Sequence, residues 1–260
     1  MYRILFITGS LFLALSSCSN YNEIIKGDDY VKKFELANEL FNDEEFLKSI
    51  VLYEQIYQHA PKSGEGELAY YRLGTSYYNS EDYYMAGYYF SSYIQRFPYS
   101  VKNEELMFLS AMCKVKNSPE ISLDQTDTED AINAIQIFVD TYPTTSLMDS
   151  SNQIIDRLRQ KIETKEFNNV MLYAQTERYR AAVASAEIFL DKYPASIHAE
   201  DVFSAMVRNS YYLCVNSVES KKSTRIDETI ERMRKFEADF PGSDDLKSLN
   251  QLVSKLQNLN

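Results

Sequence analysis

The feature that most constrains this chain is a stretch that recurs with variations. Residues 67–98 read E-L-A-Y-Y-R-L-G-T-S-Y-Y-N-S-E-D-Y-Y-M-A-G-Y-Y-F-S-S-Y-I-Q-R-F-P. Counting Glu67 as position 1, small residues stand at 8 (Gly74) and 20 (Ala86), and large ones at 4 (Tyr70), 7 (Leu73), 11 (Tyr77) and 24 (Phe90). Small residues let two helices approach closely while large ones fill the space beside them. Pro98 at position 32 stops the second helix, because proline lacks the amide hydrogen and clashes with the preceding turn. The same ending recurs at Pro61, Pro143, Pro194 and Pro241, so five of the six prolines occupy one place in a repeat. A serine follows each, at Ser63, Ser100, Ser146, Ser196 and Ser243, well placed to cap the next helix. The sixth proline, Pro119, falls in a loop.

This spacing resembles the tetratricopeptide repeat, a pair of antiparallel helices about 34 residues long. The expected fold is all-α: a right-handed α-solenoid of five such repeats over residues 30–242, closed by a C-terminal capping helix and tail over residues 243–260. Seven glycines and six prolines in 260 residues fit helices joined by short turns. The predicted helices are 30–41 and 44–58, 66–79 and 82–97 with Ser80 as a cap, 101–116 and 128–142. Residues 146–176 form either two helices or one broken near Thr164, and 178–193, 197–218, 224–240 and 243–259 follow. Residues 219–223 read as a charged, exposed link, and 117–127 as an insertion too polar for the core.

Residues 1–17 do not belong to that fold. Arg3 is followed by a largely apolar run from Ile4 to Leu15, too short to span a bilayer, and then by small residues, which is the pattern of a secretory signal peptide. Leu15-Ser16-Ser17-Cys18 resembles the lipobox of bacterial lipoproteins, which implies cleavage before Cys18 and its lipidation. Several acyl chains hold a protein on a membrane more firmly than one. Ser19, rather than aspartate, implies the outer membrane, and residues 18–29 read as a tether loosened by Gly27.

Five repeats behind a lipobox are similar to the BamD family, the lipoproteins of the outer-membrane β-barrel assembly (BAM) machinery. The insertion carries the more specific match, through Pro119, Asp124, Gln125, Thr128 and Ala131. The resemblance implies a noncatalytic scaffold, lipid-anchored on the periplasmic side of the outer membrane, that helps fold and insert barrel proteins. Its implied partners are unfolded outer-membrane proteins and the periplasmic domains of the central barrel subunit. The fourth and fifth repeats are longer than usual, which puts a detailed transfer of C-terminal contacts in doubt. Another periplasmic repeat lipoprotein, an adaptor in envelope or cell-wall organisation, is the alternative.

The chemistry agrees with binding rather than catalysis. A net charge of −11 disfavours nucleic acid and anionic lipid as primary partners. His59 and His198 belong to no metal-spaced cluster, and there is no G-x-S-x-G or phosphate-binding loop, so no metal, cofactor or catalytic site is expected. Cys113 and Cys214 read as small core residues, and Asp124 with Asp127 as loop caps. With no tryptophan and no paired-carboxylate site, glycan binding or cleavage is disfavoured. In a stacked array, positions 5, 9 and 12 of each first helix point to the concave face: Phe34, Asn38 and Phe41, then Tyr71, Thr75 and Tyr78. These six either form a groove for an extended segment ending in an aromatic residue or only pack against neighbouring helices.

Overall fold

The computed structural model describes residues 21–258, and among them there is no strand. The leader and Cys18 lie outside the described residues. The helices are α1 (Tyr30–Asn42), α2 (Phe46–His59), α3 (Gly64–Asn79), α4 (Tyr83–Arg96), α5 (Asn103–Asn117), α6 (Thr126–Thr141), α7 (Met148–Gln175), α8 (Tyr179–Lys192), α9 (Ala199–Val215), α10 (Glu219–Asp239) and α11 (Leu246–Ser254), then a 3-10 turn Lys255–Asn258. They form two compact units, up to Leu158 and from Arg159 onward.

Five repeat ends are copies of one another, and proline is the cause. α2, α4, α6, α8 and α10 each stop two residues before Pro61, Pro98, Pro143, Pro194 and Pro241. The intervening residues Ala60, Phe97, Tyr142, Tyr193 and Phe240 all hold φ between −138° and −123° with ψ between 61° and 69°. A following proline excludes the helical region for these residues, so the helix has to end there. Each then opens a turn with proline second: its carbonyl accepts from the amide of Ser63, Ser100, Thr145, Ser196 or Ser243 at 3.0–3.1 Å. In the third repeat the residue is therefore Thr145, not the expected Ser146. Only Ser63 is an N-cap, accepting from the Gly66 amide at 2.9 Å. The other four stand earlier and accept from the amide two residues on, at Lys102, Leu147, His198 and Asp245.

The turns inside the hairpins are of another kind. Glu44, Glu81 and Glu177 have φ of 62°, 64° and 57°. The amide after each reaches back to the carbonyl of Leu40, Tyr77 or Tyr173, satisfying an orphan acceptor at the helix end. Ser80 caps the end of α3 rather than the start of α4, which Asp82 caps by accepting from the Met85 amide.

The phased small residues lie where the packing argument needs them. Ser49, Ala86, Ala131, Ala182 and Thr229, all at position 20, are buried, as are Ile56, Tyr93, Phe138, Phe189 and Phe236 at position 27. A Cβ on Gly74 would stand 2.8 Å from the Phe90 ring.

Several expectations are corrected. α7 runs unbroken through Thr164, whose hydroxyl bonds back to the Gln160 carbonyl and leaves the helical ladder intact. Residues 219–223 are not a link but the first turns of α10. The insertion is polar yet partly internal: Gln125 (6% exposed) donates to the carbonyls of Glu120 and Leu123 and accepts from Thr128. Residues 21–26, expected within a tether, form a helical turn whose Tyr21, Ile24 and Ile25 pack against the first hairpin. The C-terminal helix, expected over 243–259, is shorter: it buries Leu249 and Val253, and the 3-10 turn after it buries Leu256.

Candidate functional site

Phe34, Asn38 and Phe41 share one face of α1, and Tyr71, Thr75 and Tyr78 the corresponding face of α3, at spacings of three and four residues. All six side chains are half-buried. The two stripes are neighbours, because the Arg72 guanidinium lies 4.2 Å from the centre of the Phe41 ring. Phe41 also meets Phe46 and Tyr53 edge-on, at 5.6 and 6.3 Å between centroids. Asn38 accepts from the Tyr53 hydroxyl at 2.9 Å, and burial pushes that phenol up to about 12. The Asn38 amide oxygen is thus held by a buried phenol.

The second stripe is pinned by the third repeat. The Tyr71 hydroxyl donates to Glu105 at 3.0 Å, and the Lys102 ammonium stands 4.1 Å from the centre of its ring. Burial raises the Tyr71 phenol, and the Glu105 carboxylate raises it further. Thr75 bonds its own helix through the Tyr71 carbonyl. Tyr78 lies edge-on to Tyr83 and against Phe90. Five of the six side chains thus contact other helices by ring packing or a hydrogen bond, and Thr75 bonds within α3.

Sequence reasoning missed Arg72, Lys102 and Glu105, which touch this face, and the role of the fully buried Tyr53 as the donor to Asn38. Arg72 was legible in principle: it follows Tyr71 directly, and a cation beside an aromatic stripe is a usable signal. Lys102 and Glu105 belong to the next repeat and are joined to Tyr71 only by the stacking of hairpins.

The face of the first helices is different in the second unit. Ser204, Arg208 and Tyr212 on α9, with Ala174 and Gln175 on α7, wall a cavity of about 500 Å³ that Asp245 helps to close. Ser204 donates to Asp245, and the Arg208 guanidinium reaches the same carboxylate at 3.5 Å. Another cavity, of about 690 Å³, lies between α4, α5 and α6 in the first unit, beside Tyr84, Gly87, Tyr88 and Cys113. Neither is lined by any of the six predicted residues.

His59 stacks on Tyr30 and His198 on Phe167, each ring used in packing. Cys113 and Cys214 are buried free thiols, and burial pushes Cys113 up to about 12. Among the described residues no group of three or more His, Cys, Asp or Glu could hold a metal ion, and no helix is long and apolar enough to cross a membrane.

The sequence model of a family described as "YfiO: Outer membrane lipoprotein" matches residues 28–226. No curated protein matches the chain. Among solved structures, a TPR-repeat protein from Bacteroides fragilis is similar at 10% identity and a TM-score of 0.39, covering 90% of this chain and 100% of that one. A thermophilic TPR protein from Thermus thermophilus is similar at 15% identity and a TM-score of 0.33, covering 86% and 98%.

Proposed function

This chain belongs to the YfiO family of outer membrane lipoproteins, and from that premise we propose that it is a noncatalytic scaffold on the periplasmic side of the outer membrane, helping to fold and insert β-barrel proteins. The observation that carries this reading is the family match over residues 28–226. Cys18 is the lipidated residue, and the partners are unfolded barrel proteins and the periplasmic domains of the central barrel subunit of the assembly machinery.

The stripe Phe34, Asn38, Phe41, Tyr71, Thr75 and Tyr78 is the peptide-binding face in this proposal. Half-buried rings held by neighbouring helices are already ordered, so a ligand loses little side-chain entropy in contacting them. Arg72 and Lys102 beside those rings suit the terminal carboxylate of a segment that ends in an aromatic residue. Purification from solubilised envelope, with partners identified by mass, tests the scaffold role. The proposal requires a barrel protein with periplasmic repeat domains to come down with this chain. Recovery of cell-wall proteins without it would move the chain to the envelope-adaptor class.

A further inference from the structure

Lys33 is 3% exposed, an unusual place for an ammonium group. A buried charge of this kind is strongly unfavourable unless it is hydrogen-bonded, a penalty that a methionine of similar length would not incur. Two of its three donors have partners. One is the carbonyl of Ile25 at 3.2 Å, at the end of the helical turn formed by residues 21–26, and the other is Gln55 Oε1 on α2 at 2.6 Å. The Tyr30 ring centre lies 4.9 Å away. Lys33 thus clamps residues 21–26 to the first hairpin. Tyr21 adds a second tie, its hydroxyl donating to the Lys48 carbonyl at 3.1 Å in the first turn of α2.

The clamp fixes where a lipid at Cys18 could enter a bilayer. Two residues, Ser19 and Asn20, separate Cys18 from Tyr21, and the three extended steps between them reach about 10 Å at most. The hairpin end nearest Tyr21 is the turn between α1 and α2, where Leu47 is 72% exposed. Asp43, Glu44 and Glu45 are exposed there too, and Lys48 pairs with Glu45 at 3.1 Å. Such a turn is repelled by anionic lipid but meets the ammonium groups of ethanolamine headgroups favourably. We propose that this hairpin end, Leu47 with the turn 43–45, rests on a zwitterionic lipid surface, held there by the Lys33 clamp. The inference rests on the reading of Cys18 as an acylated residue.

The test uses the full acylated chain in vesicles of phosphatidylethanolamine and phosphatidylcholine that carry a headgroup nitroxide quencher. An environment-sensitive fluorophore is placed on Leu47→Cys or on Lys62→Cys, beyond the far end of α2 and about 20 Å from Leu47 by helical rise. Cys113 and Cys214 are buried and leave the introduced thiol as the reactive one. Quenching is expected at 47 and not at 62. A flexible Gly-Ser insertion of about 12 residues after Ser19, reaching about 20 Å, should abolish it. Lys33→Met should weaken it, and so should replacing the zwitterionic lipid with phosphatidylglycerol. Equal quenching at the two sites, or no response to the insertion, overturns the placement, and no response to Lys33→Met overturns the clamp. A mass without acyl chains overturns the lipid reading as well, whereas an acylated chain unquenched at 47 overturns only this inference.

Discussion

The two units use the same hairpin and spend their polar contacts differently. In the first, tyrosines carry much of the packing, and their hydroxyls are bound to carboxylates on neighbouring helices: Tyr71 to Glu105, Tyr89 to Glu54, and Tyr93 to Glu67 at 2.6 Å. In the second, the core is Phe189, Phe203, Met206, Phe236 and Leu249, and the polar ties between helices are mostly ion pairs and serine bonds: Lys192 to Glu166, Arg232 to Glu187, and Ser204 and Arg208 to Asp245. A tyrosine can be half in a core and half at a surface if its hydroxyl finds a partner. A phenylalanine core offers no such surface. The lesson is that tyrosine packing leaves the first unit a polar-edged aromatic face, the one proposed to bind, while the second unit packs its phenylalanines inward.

That contrast can be tested most severely at Phe236, which is fully buried and edge-on to Phe203 at 5.6 Å. Phe236→Ala should cost about 3–5 kcal/mol, concentrated in residues 159–258 when read by hydrogen exchange. An equal loss of protection in residues 21–158 would break the comparison. In the first unit the backbone itself is the tight point. A Cβ on Gly66 would stand 2.0 Å from the Ala60 carbonyl oxygen, so Gly66→Ala should cost about 1–3 kcal/mol in denaturant unfolding. Gly64→Ala, with nothing within 4 Å, should instead be neutral or stabilise by up to about 1 kcal/mol.

Next in size is Tyr93→Phe, which removes a bond to a carboxylate and should cost about 1.5 kcal/mol. The pH dependence has the same origin. Burial, then the hydrogen bond to Glu67, push Tyr93 from 10.0 up to about 12, and burial pushes Tyr53 equally far. A raised phenol adds stability that is complete below pH 10 and is lost as pH climbs towards 12, because the unfolded chain ionises first. Burial raises Tyr193 in the second unit as well, with the Lys192 ammonium pulling the other way. The first unit should therefore lose its near-ultraviolet dichroism and exchange protection before the second in alkali, and simultaneous loss would remove the distinction. The smallest effect is expected at the inner turns: Glu81→Gly relieves a left-handed residue, for a gain of about 0.5 kcal/mol once glycine's entropy is counted.

Much of this fold was legible because proline and small residues act locally. Pro61, Pro98, Pro143, Pro194 and Pro241 set one backbone conformation wherever they occur, so five helix ends could be read to within about two residues. What escaped depends on contacts across the chain. Lys33 looks like a surface lysine until residues 21–26 fold back over it, and Gln125 looks like loop filler until it gathers three groups around itself. The inner turns escaped for another reason: glutamate is a rare choice for a left-handed residue, so Glu44, Glu81 and Glu177 gave no signal where glycine would have. Helical spacing put the six stripe residues on shared faces of two helices, but their contacts with Arg72, Lys102 and Glu105 follow from the stacking of repeats.

The central claim is that the first unit's aromatic stripe receives an extended segment ending in an aromatic residue. Titration of a synthetic C-terminal peptide from a barrel protein tests it directly, against the unchanged chain, Phe41→Ala with Tyr78→Ala, and Tyr212→Ala in the second unit, with helicity checked for each. The account predicts a loss of at least about tenfold in affinity for the double variant, or about 1.4 kcal/mol, and none for Tyr212→Ala. Equal affinity across all three, or a loss confined to Tyr212→Ala, would contradict it.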